Sequence, residues 1–251
     1  MIPLFLFILG SIFGSFFNVC IYRLPRELDV IRKNSFCPSC KYTIPFYQNI
    51  PILTYLFNFG KCKNCKDKIN ISYFIVELLT AFIFLFSYLK YDLSLEFIFF
   101  IIFYCSLLII FFTDLKEYLI LDIVTIPVSL IGLCGVFFNF NPFDVNLTES
   151  ITGGLIGYGI IYIIRFLYFK IRKVEGMGLG DAKLFLLIGI WLGIKSIFLI
   201  LMISSLIGAI VGSVIIIKYK KSKNFQIPYG CFITFTAALY PYIGQIFYNY
   251  I

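Results

Sequence analysis

Residues 184–217 read LFLLIGIWLGIKSIFLILMISSLIGAIVGSVIII, an apolar run broken by a single charge, Lys195. A membrane-crossing helix takes about 20 mostly apolar residues. The run is therefore either one overlong helix or a tight pair, and the surrounding charges choose between them. If the polar segment Arg23–Asn70 faces the cytoplasm, parity puts the loops Asp114–Asp122 and Arg165–Asp181 on the same side. Two crossings through Ala182–Ile217 return Lys218, Lys220, Lys221 and Lys223 to that side as well. Only Lys90 and Lys195 of the 21 Lys and Arg residues are then left outside. A single crossing would expel the four-lysine cluster, against the bias of basic residues towards the cytoplasm. Two passes are expected, the first short, then a last helix from about Gln226 to Ile251.

The rest of the chain follows the same pattern. Met1–Tyr22 carries no charge. It is too long and too aromatic for a signal peptide, lacks a basic start and offers no clean small-x-small cleavage site, so it reads as a retained first helix. Further apolar runs lie at Ser72–Leu89, Leu93–Thr113, Ile123–Phe143 and Ile151–Ile164, the last rich in glycine, which suits close helix packing. The expected fold is an all-α polytopic membrane protein with about eight transmembrane helices and both termini outside. It divides into a first helix (1–22), a cytoplasmic four-cysteine segment (23–71) and a membrane domain (72–251). No internal repeat or low-complexity linker is visible.

Composition agrees and excludes a good deal. The chain is 61% hydrophobic and 14% charged, where a soluble domain carries about 25% charged residues. It has no histidine, which rules out a Ser-His-Asp triad, a Cys-His pair and any His-ligated metal. Chemistry must fall to Asp, Glu, Lys, Cys, Ser or the backbone. The net charge of +8 points to basic cytoplasmic loops on anionic lipid rather than to a nucleic-acid partner.

Cys37-Pro-Ser-Cys40 and Cys62-Lys-Asn-Cys65 form two CxxC knuckles. Four thiolates fit a tetrahedral Zn²⁺, and cytoplasmic thiols stay reduced. Lys33, Lys41, Lys61, Lys63, Lys66 and Lys68 surround them and favour the thiolate form. The expected role is a structural staple for a segment too small to hold its own core. Cys20, Cys105, Cys134 and Cys231 sit in apolar runs and read as small buried hydrophobes.

The chain has only 13 acidic residues, so each is informative. Asp114 directly follows one apolar run and Asp122 directly precedes the next. Asp181 ends Gly176-Met-Gly178-Leu-Gly180-Asp181 and is followed by Ala182-Lys183. Alternate glycines cannot form a stable helix interior; they let backbone approach a substrate strand or a neighbouring helix. Two carboxylates facing each other share a proton, so one serves as base towards water while the other donates to the carbonyl or leaving amine. That chemistry needs no histidine. Simpler roles stay open: Asp114 as a solvated loop charge, Asp122 as a helix N-cap, Asp181 paired with Lys183 or Lys173. Glu77, about one turn into its helix, either pairs with a basic residue of the cysteine segment or is functional. A different class also remains, a zinc-containing transport or assembly factor whose acidic pair carries ions.

Taken together, the residues resemble the prepilin peptidases, also called type IV leader peptidases. Gly14-Ser-Phe-Phe-Asn18-Val-Cys-Ile-Tyr22-Arg23-Leu-Pro25 resembles the family's first helix and its exit. Ser35-Phe-Cys37-Pro-Ser-Cys40, Gln48-Asn49-Ile50-Pro51 and Gly60-Lys-Cys62-Lys-Asn-Cys65 resemble its cysteine domain. Ile71-Ser-Tyr73-Phe-Ile-Val-Glu77 follows. Gly176-Met-Gly178-Leu-Gly180-Asp181-Ala-Lys183 resembles the GxGD signature, and Ile227-Pro-Tyr-Gly230 the start of the last helix. The resemblance implies an aspartic endopeptidase of the bacterial plasma membrane with Asp114 and Asp181 as the catalytic pair. Gly178, Gly180, Lys183 and Glu77 would support them. It implies prepilin or pseudopilin substrates, cut after a glycine just ahead of a hydrophobic helix. It also implies Zn²⁺ on the four cysteines and S-adenosylmethionine-dependent methylation of the new N-terminus. Leu121 stands where the family usually has proline, next to Asp122, which favours Asp114 over Asp122 as partner. Gly153, Gly154, Gly157 and Gly159 are expected to offer a packing surface to the substrate helix.

Overall fold

In a bilayer every backbone N–H and C=O must be satisfied within its own segment, so long apolar runs become helices. The computed structural model describes residues 1–30, 36–37, 39–45, 50–173, 178–219 and 227–249. Lys33, Gln48, Asn49, Gly176, Lys220, Lys221 and Lys223, which entered the sequence reading, lie outside the described residues. The helices are α1 (Ile2–Arg23), α2 (Leu53–Phe57), α3 (Ser72–Tyr91), α4 (Leu95–Glu117), α5 (Asp122–Phe137), α6 (Leu147–Arg172), α7 (Leu179–Leu192), α8 (Ile194–Tyr219) and α9 (Tyr229–Asn249). Among the described residues there is no strand, only two isolated bridges, Phe36 with Thr43 and Lys61 with Lys68.

Five helices, α1, α3, α4, α6 and α8, are long and apolar enough to cross a membrane. Large apolar side chains are exposed along them, such as Phe86, Phe198 and Ile210, as expected where lipid is the solvent. The long run at 184–217 does break in two. Gly193 sits at φ 74°, ψ 173° between α7 and α8, a conformation only glycine takes without strain. At 14 residues, α7 is about 21 Å long, shorter than the hydrocarbon layer.

The chain forms two units, Met1–Phe97 and Ile98–Ile251. In the first, α1 packs along α3. A Cβ on Gly10 would lie 2.8 Å from Ala81 Cα, and one on Gly14 would lie 2.6 Å from Glu77 Cα. One turn further on, Asn18 Nδ2 donates to the Tyr73 carbonyl at 2.9 Å. Small residues at four-residue spacing thus bring the backbones together and a side-chain amide closes the seam.

In the second unit α7 is the centre. Leu184, Phe185, Leu187, Ile188 and Trp191 are fully buried, so a helix apolar on every side finds partners on every side. Trp191 Nε1 donates to Val128 of α5 at 2.9 Å, and Ser150 of α6 donates to the Ile190 carbonyl at 2.8 Å. Three glycines of α6, Gly153, Gly154 and Gly157, face α7. A Cβ on Gly153 would lie 2.6 Å from the Gly189 carbonyl, and one on Gly157 would lie 2.7 Å from the Phe185 carbonyl. This corrects the expected substrate surface: Gly153, Gly154 and Gly157 are filled by the chain's own α7, and of the four only Gly159 has open space beside it.

Gly189→Ala would drive a methyl into the backbone of Gly153, which cannot rotate away. It is expected to destabilise the second unit by about 1–3 kcal/mol. Gly159→Ala should cost nothing, since glycine is the poorer helix former. Thermal unfolding of the two variants in the same detergent checks the pair.

Candidate active site and metal centre

Asp114 lies in the last turns of α4, buried. Its Oδ2 accepts the backbone N–H of Cys231 at 2.9 Å, and the Gly230 N–H also bonds the carboxyl. Both belong to the first turn of α9, where free N–H groups and the helix dipole favour an anion. Gly230 is required by space: a Cβ there would lie 2.9 Å from Asp114 Oδ2. Asp181, also buried, sits in the first turn of α7, whose N-cap is Gly178. Its own N–H donates to the Gly178 carbonyl at 3.3 Å. The two carboxyls are close enough to feel each other's charge.

Ile120, in the loop between α4 and α5, spans the gap between the two helix starts. A Cβ on Gly180 would lie 2.8 Å from its Cβ, and one on Gly230 would lie 3.0 Å from its Cδ1. Glycine at both positions lets one isoleucine set α7 and α9 side by side. Nothing in the sequence marks an isoleucine among so many. Tyr229, the first residue of α9, hydrogen-bonds Ser204 at 3.0 Å and is near enough to Asp181 to sense its charge. Cys231 was expected to be an inert hydrophobe; it is buried, but its N–H holds Asp114 and its thiol meets the Phe111 carbonyl at 3.2 Å.

The remaining acidic candidates have other partners. Asp122 is the first residue of α5, after the N-cap Leu121, with no side-chain cap bond to Leu121's position. Its carboxylate binds Lys183 at 2.6 Å in a largely exposed ion pair. Lys183 therefore pairs with Asp122 rather than with Asp181. Glu77, in the first unit, takes the backbone N–H of Ile52 at 2.7 Å, so its partner in the cysteine segment is backbone rather than a basic side chain. Cys134 differs from expectation: it is exposed on α5, whereas Cys20, Cys105 and Cys231 are buried.

The four knuckle sulfurs lie within 4.8 Å of one another. Cys37 and Cys65 Sγ are 3.9 Å apart, against about 3.8 Å for the edge of a tetrahedron built on 2.3 Å zinc–sulfur bonds. The knuckles are built alike. The N–H of Cys37 donates to Tyr42 and that of Cys62 to Asp67, while Lys41 and Lys66 donate back to the first cysteine of each loop. Lys41 and Lys66 both have positive φ. The Tyr42 N–H, then the Asn64 amide, bring the Cys40 thiol down to about 6, and the Cys65 N–H lowers Cys62. The donor set and its polarisation fit Zn²⁺, which would serve as a crosslink.

The fold and the sites define a polytopic membrane protein with a buried aspartate pair at two helix starts and a separate four-thiol centre. Residues 8–91 match the Bacterial Peptidase A24 N-terminal domain, and residues 101–213 match the Type IV leader peptidase family. The chain is 35% identical over 214 residues to a prepilin leader peptidase/N-methyltransferase of Vibrio cholerae, covering 81% of this chain and 82% of that protein. It is 31% identical over 242 residues to the protein of that name in Neisseria gonorrhoeae, covering 87% and 83%. For Legionella pneumophila the figures are 29% over 275 residues, covering 99% and 95%. This chain belongs to the type IV leader peptidase family. No solved structure gives a significant match.

Proposed function

We propose that the chain is a membrane-embedded aspartic endopeptidase that cuts the leader from type IV prepilins or pseudopilins after a glycine. It would act at the cytoplasmic face of a bacterial plasma membrane, as one of about eight-helix topology. The observation that carries this reading is the pair of buried carboxyls, Asp114 and Asp181, at the first turns of α9 and α7. Asp114, held at the head of α9, takes the base role and removes a proton from the attacking water. Asp181 gives its proton to the scissile carbonyl oxygen as the water oxygen bonds the carbon. The proton on Asp114 then passes to the leaving nitrogen as the C–N bond breaks, while Asp181 takes back the hydroxyl proton as the C=O bond re-forms. Gly178 would let the substrate strand approach, Gly180 would seat Ile120, Lys183 would act through its ion pair with Asp122, and Glu77 would hold the Ile52 N–H within the first unit.

The names of the relatives support a second activity, N-methylation of the new terminus. S-adenosylmethionine would supply the methyl group; the residues that bind it are not assigned. The basic cysteine segment would repel a basic leader, so lipid insertion of the substrate's own helix is the more effective recruiter. The test is to mix the detergent-solubilised enzyme with a prepilin-like substrate carrying a Gly-Phe junction and weigh the products. Cleavage after glycine, with a 14 Da gain only when the methyl donor is present, is the expected result; an uncut substrate refutes the peptidase reading. Gly230→Ala pushes a methyl against Asp114 and is expected to lower kcat about 10- to 100-fold with little change in KM.

A further inference from the structure

The segment between α1 and α3 was read from its charge as lying outside the membrane. Its short helix α2 contradicts that for one face. Phe57 is 77% exposed and Phe59 is 88% exposed, and Leu53, Leu56 and Ile50 beside them are also exposed. Five large apolar side chains on ten residues facing water would be a heavy cost, and the backbone adds to it. Phe59 has φ 49° and Ile52 has φ 63°. Positive φ is uncommon for any residue but glycine and an outlier for bulky or β-branched ones. At Ile52 the Leu53 N–H bonds the Pro51 carbonyl at 2.6 Å, closing a three-residue turn of the strained hand. Neither conformation nor hydration favours these residues in water, so the strain is held by the surroundings.

Those surroundings fix α2 against α3. Glu77 takes the Ile52 N–H. On the opposite side of α2 from the exposed residues, Tyr55 stacks on Phe74 with ring centroids 5.3 Å apart. Phe74 is the third residue of α3, a helix able to span the bilayer. The contact therefore sets α2 level with the first turn of a membrane span. Lys61, Lys63, Lys66 and Lys68, all exposed, follow directly in the chain.

We propose that α2 and the turn after it are a membrane-inserted wedge. Leu53, Leu56, Phe57 and Phe59 enter the boundary between headgroups and acyl chains, and the lysines meet anionic headgroups. The occupant of this face is lipid rather than protein for two reasons. Tyr55 ties the face to the start of a membrane span, and the adjacent charge is mainly basic, four lysines against Asp67. The wedge would hold the cysteine segment flat on the leaflet. This inference rests on the membrane-spanning character of α1 and α3 and not on the proposed chemistry.

The test uses the full chain in nanodiscs of phosphatidylcholine and phosphatidylglycerol. The sequence has one tryptophan, Trp191, fully buried, which gives a fixed background. Phe57→Trp and Phe59→Trp each add one probe at the wedge, and Lys63→Trp adds one outside it. Emission from the wedge probes is expected to be blue-shifted and quenched by lipids brominated about 5–10 Å below the headgroups. The Lys63→Trp emission should be red-shifted and quenched by aqueous acrylamide. Acrylamide quenching at position 57 and 59 would overturn the proposal. So would blue-shifted emission that neither quencher reaches, which would mean that a second copy or another protein covers the face. Unchanged peptide cleavage in Phe57→Trp certifies the fold, and its loss together with lipid quenching still supports insertion.

Discussion

Asp181→Asn and Asp114→Asn are each expected to lower cleavage of a Gly-Phe prepilin substrate by about 10³-fold, while the protein stays folded. The magnitude follows from the division of labour. A carboxyl that must take or give a proton in the transition state is worth about 10²–10⁴-fold, and an amide of the same shape can do neither. If the pair works as a unit, as proposed, the double variant should be no worse than either single one. Asp122→Asn is the control. It removes an exposed ion pair with Lys183, worth about 0–1 kcal/mol, and should leave cleavage within a few-fold of wild type. Product mass spectra and thermal melts on all four proteins check this. Near-normal cleavage by Asp181→Asn would remove the aspartic mechanism and return attention to ion transport by the pair.

What the sequence made legible was set by long-range balance, and what it hid was set by contact. A break in the long run follows from charge parity along the whole chain, and Gly193 at positive φ sets its place. Asp114 and Asp181 stood out because carboxylates are costly at a membrane edge. The glycine stripe of α6 was legible as a packing surface, but not whose. Its partner, α7, carries the matching Gly189, far downstream of the stripe, and one-dimensional spacing does not pair the two. The salt bridge between Asp122 and Lys183 joins positions 61 apart and was hidden for the same reason. Ile120 was invisible altogether, because its role comes from two absent side chains, at Gly180 and Gly230. The outward face of α2 was missed because a five-residue helix has too few positions to give a periodic signal.

Cys62→Ser is expected to lose the metal and with it the structure of the segment between α1 and α3. Wild-type protein should carry about one zinc per chain and the variant almost none. Among the described residues from 36 to 70 only Cys37, Gly60 and Cys62 are buried, so two of the three buried positions are candidate zinc ligands. Among the described residues there is no apolar core to hold the knuckles once the crosslink goes. A structural zinc of this kind contributes about 10–16 kcal/mol of apparent binding energy at neutral pH, far more than the few hydrogen bonds of the two loops. Trypsin should then cut at Lys41, Lys61, Lys63, Lys66 and Lys68 in the variant, or in chelator-treated wild type, and spare them in the loaded protein. The pH dependence has a definite sign. Zinc needs thiolates, and Cys40 takes up its proton as pH falls through about 6 while Cys65 keeps one up to about 12, so metal affinity drops with acidification. Intact wild-type protein that holds no zinc and still resists trypsin would show that the hydrogen bonds of the knuckles and the packing of Tyr55 on Phe74 suffice.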